Sequence, residues 1–196
     1  MTRARCAVDV APVRSEPLGD AEQVTQLLRG EPVAVEERRG DWARILTGYH
    51  YPGWVRAEAL AGAQARNSLS LEWLGPARAG DPVEEARGFL GAPYEWGGMS
   101  ERGIDCSGLV HMAYRRLGRL VPRDADQQEE AGEPVDADDL RRGDLVTYGE
   151  EAATHIAFWL GGGRILHATA REGVNAVVEE RQPPELVAQI RRHVRL

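Results

Sequence analysis

Short apolar runs separated by turn residues fill the first part of the chain. Val8-Asp9-Val10 and Pro12-Val13-Arg14 come first, and Glu31-Pro32-Val33-Ala34-Val35-Glu36 follows. Gly40-Asp41 marks a turn, then Trp42 to Leu46 and Gly53-Trp54-Val55 complete the series. Runs at this spacing predict a small all-β barrel over residues 1–62. Residues 63–80, rich in Ala, Gly and Ser, read as a connector in which Leu69, Leu71 and Trp73 pack against something. From residue 81 to 196 the pattern is that of a second, α+β domain. Asp81-Pro82-Val83-Glu84-Glu85 is a helix start, with Asp at the N-cap, Pro at the first helical position and acids in the first turn. Gly91 and Pro93 end that helix. Leu109, Val110, Ala113, Tyr114 and Leu117 recur at helical spacing over Cys106 to Leu117, and Gly118 closes the element. Asp144 to Tyr148, His155 to Leu160, Arg164 to Ala168 and Val174 to Glu179 read as strands. Pro184 to Arg195 reads as a terminal segment, helical at its start.

Charge and composition remove several classes of function. The net charge is −7, which leaves no general electrostatic footprint for nucleic acid or an anionic membrane. All 24 basic residues are Arg, which excludes a P-loop lysine, a Schiff-base lysine and a Ser-Lys dyad. The two cysteines, Cys6 and Cys106, form no Cys-x-x-Cys pair, which argues against a zinc ribbon, a redox dithiol or a disulfide scaffold. No metal or other cofactor is expected. The opening MTRARCAVDVAPVR lacks the apolar run of a secretory signal, and no stretch has the length of a membrane span. The expectation is a cytoplasmic protein with reduced thiols.

Cys106 is the candidate nucleophile. Asp105 before it is a good N-cap, so the thiol falls at the first helical position, where free amides and the helix dipole favour a thiolate. With a basic partner near, such placement brings a thiol pKa from ~8.5 into a range of ~3.5–7.5. Ser107 and Gly108 follow it and leave room for a substrate, so Ser107 counts as a substrate-binding candidate. Cys6 has no such setting and reads as a small residue of the β module. A thiolate needs a base and a group to orient that base. Among five histidines, His155 and His167 flank Gly161-Gly162-Gly163, a hairpin turn rather than a phosphate loop. A three-residue loop would set Ala157 across from His167 and Thr169 across from His155. Both imidazoles then fall on one sheet face as diagonal neighbours ~7–8 Å apart, unless a one-residue bulge intervenes. Either ring could serve as base while the other fixes its tautomer. The Arg38-Arg39, Arg115-Arg116, Arg141-Arg142 and Arg191-Arg192 doublets read as solvated faces paired with acids.

These residues carry a resemblance. Tyr94-Glu95-Trp96-Gly97-Gly98, Gly103-Ile104-Asp105-Cys106-Ser107-Gly108-Leu109-Val110, Arg142-Gly143-Asp144-Leu145-Val146, His155 to Gly161 and His167-Ala168 resemble, in order, the NlpC/P60 cysteine peptidases. Two positions depart from the family's habit. Ile104 stands where an aromatic is common, and Arg142 where a proline is; neither touches the chemistry. The resemblance implies a papain-like α+β fold with Cys106 as nucleophile, His155 as general base and acid, and His167 as the orienting third residue. It places Tyr94 beside the nucleophile, where its hydroxyl would help hold an oxyanion. Val13-Arg14-Ser15-Glu16-Pro17, Gly30-Glu31-Pro32-Val33, Gly40-Asp41-Trp42 and Gly53-Trp54-Val55 are similar to the landmarks of bacterial SH3-like (SH3b) modules. The two modules together resemble γ-D-glutamyl-L-diamino acid endopeptidases. That likeness implies peptidoglycan stem peptides as substrate, with Glu16, Tyr51 and Asp124 holding the amine of an N-terminal L-Ala. Tyr49 is the alternative to Tyr51, and Asp126 competes with Asp124. The expectation is a recycling endopeptidase that cuts after γ-D-Glu. The rival readings are an enzyme that cuts cross-linked wall, a catalytically inert wall-peptide-binding protein and a thioester acyltransferase.

Overall fold

The computed structural model describes residues 2–64 and 71–196. The chain divides into two compact units, Met1–Pro76 with Trp96–Ser100, and Ala77–Glu95 with Glu101–Leu196.

The first unit is all β. Its strands are β1 (Thr2–Cys6), β2 (Val10–Arg14), β3 (Gln23–Leu28), β4 (Pro32–Arg39), β5 (Trp42–Thr47), β6 (Pro52–Arg56) and β7 (Leu60–Gln64), in the sheet order β3-β2-β6-β5-β4-β1-β7. The sheet is SH3-like but not a closed barrel, with β3 and β7 at its two edges. Alternating residues turn Val13, Leu27, Val33, Ile45 and Val55 into one core, and Cys6 is buried among them. β1, β3 and β7 had no distinct apolar signature; long-range pairing makes them strands. β2 lies antiparallel to β6 through Arg14 and Trp54, which brings Ser15-Glu16 and Tyr51-Pro52 to the same end of the strand pair. Trp96–Ser100 includes the short strand β8 (Met99–Ser100) and is held in this unit by side chains of β3 and its approach. Gln23 donates to the Trp96 carbonyl at 2.7 Å, the Trp96 indole to Glu22 at 2.9 Å, and the Met99 amide to Gln26 at 2.9 Å. Of the residues expected to pack in the connector, Leu69 lies outside the described residues. The Trp73 indole lies where a side chain on Gly48 would otherwise sit.

The second unit sets four helices against a sheet. α1 (Pro82–Arg87) begins as the sequence predicts, with the Asp81 carboxylate accepting the Val83 amide at 2.8 Å. β9 (Gly103–Ile104), α2 (Cys106–Arg116), α3 (Ala125–Ala131) and β10 (Glu133–Pro134) follow. The rest are β11 (Leu145–Tyr148), β12 (His155–Gly161), β13 (Arg164–Thr169), β14 (Ala176–Arg181), α4 (Pro184–Val187) and β15 (Ile190–Arg195). The antiparallel sheet runs β10-β15-β11-β12-β13-β14. The C-terminal segment is helical at its start, as read, over four residues; its remainder, left unassigned by the sequence, enters the sheet beside β11 as β15. Ile190-Arg191-Arg192-His193-Val194-Arg195 lacks an apolar face, so its strand state comes from pairing and from two acids. Asp144 takes Arg195 through both oxygens, at 2.6 and 2.7 Å, and buried Glu129 takes Arg191 at 2.8 Å. α3 was also not foreseen, and Asp124 is its N-cap residue. α2 packs on β12 and β13, with Tyr114 and Phe158 rings 6.4 Å apart. The opposite sheet face carries Val146, Tyr148, Ala157 and Ile165, covered by Leu186 of α4.

Candidate active site

The site is built around the start of α2. Asp105, in extended conformation, accepts the Gly108 amide at 2.6 Å and so caps the helix. Cys106 is the first helical residue and is 5 % exposed. Its sulfur accepts from the backbone amides of Ile156 and Ser107. The Ile156 contact joins the helix of Cys106 to β12, one residue from His155.

A buried ion pair holds this helix start. Arg123 grips Asp105 at 3.0 and 2.8 Å and also donates to the Ser107 hydroxyl at 2.9 Å. The two charged side chains are only 1 % and 8 % exposed. Gln128 of α3 donates to the carbonyls of Ser107 and Pro122 at 3.0 and 2.8 Å. Both residues bordering Cys106 are therefore fixed by groups from beyond α2. Sequence reasoning missed Arg123. It stands in Val-Pro-Arg-Asp-Ala-Asp, next to the Asp124 that drew notice, with nothing local to mark its burial.

The thiol is not acidic at rest, contrary to the expectation drawn from its helix position. Burial pushes its pKa up to about 12, and the adjacent Asp105 carboxylate adds to the rise. The Ile156 and Ser107 amides and the Arg123 guanidinium oppose this without overcoming it. Desolvation of a thiolate outweighs the helix-start effect here. His155 is pushed the other way, to about 3, by burial first and then by His167. The resting pair is therefore a neutral thiol and a neutral imidazole.

The two histidines meet as the hairpin argument requires. Phe158 faces Leu166 and Trp159 faces Ile165, the register expected from the three-residue loop. A bulge does occur, but between Trp159 and Gly161, on the turn side of both histidines. It leaves Gly162 and Gly163 as a two-residue turn with φ of 60° and 76°, the primed geometry that matches sheet twist. His155 Nε2 and His167 Nδ1 are 2.8 Å apart. Tyr148, across from His155 on β11, lays its ring 5.5 Å from that imidazole and receives a hydrogen bond from Gln182. On the far side His167 Nε2 lies 3.0 Å from Glu180, whose other oxygen Arg171 holds. Glu180, Arg171 and Tyr148 were not foreseen. Alternation along Val177-Val178-Glu179-Glu180 could have offered Glu180, but only with the β13–β14 register known.

Tyr94 lies near Cys106 because residues 93–95 run beside Ile104. The Ile104 amide donates to Pro93 and the Glu95 amide to the Ile104 carbonyl, at 3.1 and 3.2 Å. Its phenol pKa is raised, by burial first and then by Cys106 and Asp105 at close range. The hydroxyl therefore keeps its proton and can donate it. Asp124 follows Arg123 directly, and its carboxylate receives Gln127 at 3.2 Å. Tyr94, Cys106, Ser107, His155 and His167 thus all belong to one unit, with Tyr94 near Cys106 and His155 bonded to His167. Glu16 and Tyr51 belong to the other: Glu16 is exposed, and Tyr51 is half-buried with its ring 6.4 Å from that of Tyr49. The Tyr49 hydroxyl is bonded to Thr25 at 2.8 Å inside the first unit. Among the described residues no cluster of His, Cys, Asp or Glu is arranged to hold a metal ion, and no helix is long and apolar enough to cross a membrane.

The NlpC/P60 family model matches residues 91–191, spanning this whole constellation from Tyr94 to Glu180. The chain belongs to the NlpC/P60 family. A second model, the bacterial dipeptidyl-peptidase Sh3 domain, matches residues 13–60. Among curated relatives, a gamma-D-glutamyl-L-lysine dipeptidyl-peptidase of Bacillus subtilis is 40 % identical over 94 residues, 46 % of this chain and 32 % of that protein. One of the same name from Bacillus cereus is 32 % identical over 133 residues, 66 % of this chain and 38 % of that protein. The aligned parts thus span about a third of each relative's length. The crystal structure of an NlpC/P60 family protein from Bacillus cereus superposes with a TM-score of 0.84. It covers 98 % of this chain and 99 % of that one at 19 % identity, a likeness of fold.

Proposed function

We propose that this NlpC/P60 chain is a cysteine peptidase that hydrolyses the bond between γ-D-Glu and an L-diamino acid in peptidoglycan stem peptides. The observation that carries the reading is the buried Cys106 thiol at a capped helix start, beside a strand whose His155 is hydrogen-bonded to His167. The relatives named for cleavage at γ-D-glutamyl-L-lysine support the bond assignment.

In this reading Cys106 Sγ attacks the γ-carbonyl carbon and its proton passes to His155. First-turn amides of α2 and the Tyr94 hydroxyl take up the charge on the carbonyl oxygen. The tetrahedral species collapses, the C–N bond breaks, and His155 returns the proton to the leaving amine of the diamino acid. Water, deprotonated by His155, then attacks the thioester and releases the γ-carboxylate and the thiol. Ser107 and Asp124 border the substrate. On the strength of the motif match, Asp124 takes the ammonium of an N-terminal L-Ala, a group suited to a carboxylate. A free L-Ala exists only on stem peptides already released from glycan, so the role proposed is recycling of wall fragments.

The test is incubation with free L-Ala-γ-D-Glu-diaminopimelate and detection of L-Ala-γ-D-Glu by mass spectrometry. Cleavage is expected with the wild type and none with Cys106→Ala. Retained cleavage in that variant would overturn the mechanism. Acetylating the N-terminus should abolish turnover; unchanged turnover points instead to an enzyme acting on intact wall.

A further inference from the structure

We propose that Glu180, clamped by Arg171, is a positioning residue that dictates which nitrogen of His155 is free to accept a proton. This rests on the catalytic reading above. A hydrogen-bond chain runs inward from the sheet edge. His167 pairs with Val178 across β13 and β14, so Glu180 is its diagonal neighbour on the same face. Glu180 Oε1 lies 3.0 Å from His167 Nε2. A carboxylate only accepts, so His167 must carry its proton on Nε2. In a neutral imidazole that leaves Nδ1 bare. Nδ1 lies 2.8 Å from His155 Nε2, so His155 donates from Nε2 and keeps its lone pair on Nδ1. That Nδ1 is the one basic nitrogen the pair can offer to the thiol.

Burial keeps both imidazoles neutral at rest, so the choice of tautomer, rather than of charge, decides whether a base exists. Among the described residues, Tyr148 from β11, Glu180 from β14 and Arg171 from the loop after β13 face the pair, with Cys106 held against the Ile156 amide next to His155. Of these only Glu180 can define which His167 nitrogen bears hydrogen. Arg171 engages the other carboxylate oxygen and prevents Glu180 from turning away. Without Glu180, His167 can move its proton to Nδ1 and donate to His155 Nε2. His155 then carries its own proton on Nδ1, and a donor replaces the base.

The experiment compares Glu180→Leu, Glu180→Gln and wild type by long-range proton–nitrogen NMR of labelled histidines, and by kinetics on the tripeptide. Wild type should show His155 protonated at Nε2 and bare at Nδ1, and Glu180→Leu a mixture or the reverse. Its kcat should fall by about 10- to 100-fold, the range seen for lost outer partners of functional histidines, with KM within about twofold. Glu180→Gln keeps an acceptor oxygen and should retain the wild-type tautomer and most of kcat. Because the Glu180 charge holds the His167 pKa up, its acid limb of kcat/KM should move to lower pH. An unchanged His155 tautomer in Glu180→Leu, or equal losses of kcat in both variants with no shift of the acid limb, overturns the proposal. If Glu180→Leu does not fold, the Gln variant decides by its acid limb: a downward shift supports the role and none overturns it. If wild type fails to cleave the tripeptide, the functional reading fails while the NMR comparison still decides this one.

Discussion

Replacing Arg123 with methionine keeps most of the side-chain volume but removes a guanidinium that donates twice to Asp105 and once to Ser107. The pair is almost fully enclosed, at 1 % and 8 % exposure, so water does not replace the lost contacts. Removing one partner of such a pair costs about 3–5 kcal/mol, because the remaining charge stays buried without a counterion. Against a typical total of about 5–15 kcal/mol that is a large share of stability. The loss is a penalty on Asp105 more than a missing attraction, and a double-mutant cycle separates the two. Asp105→Asn preserves an N-cap acceptor for the Gly108 amide while removing the charge. The double variant Asp105→Asn with Arg123→Met should therefore be more stable than Arg123→Met alone, by at least about 1 kcal/mol. Urea denaturation followed by fluorescence measures all four proteins. A loss under about 1 kcal/mol in the single variant, or strict additivity in the cycle, would falsify the view that this ion pair clamps the helix of Cys106.

Two further outcomes follow from the geometry. Tyr94→Phe should leave folding intact and lower kcat by about 10²-fold, the effect of losing one oxyanion donor; an unchanged kcat would remove Tyr94 from the chemistry. Asp144 is the second site of interest. Burial acts to raise its pKa, but Arg195 and the Arg141 amide outweigh that and leave it lowered. Its contribution to stability is thus present above the unfolded carboxylate value of about 3.9 and disappears as pH falls through the folded value. Arg195→Gln should flatten the acid side of the stability profile, as read by thermal melting between neutral and acid pH. A profile parallel to that of the wild type would show that β15 is not anchored this way.

What the sequence determined by itself was whatever depends on near neighbours in the chain. The Asp81 and Asp105 helix starts, the face of α2 and the meeting of His155 with His167 across a glycine turn all follow from local preference and short-range register. The β12–β13 bulge could have spoiled the last of these, and it did not only because it lies on the turn side. The tertiary structure alone decided what depends on distant partners. β15 is a strand because β11 and two acids from elsewhere receive it. Arg123 is buried because Asp105, eighteen residues earlier, awaits it. Glu180 reaches His167 through a register that the loop between β13 and β14 does not announce. The thiol shows the division most clearly. Its position at a helix start is local and favours the thiolate, yet its pKa is set by desolvation and by Asp105, and desolvation exists only once the chain has closed around it.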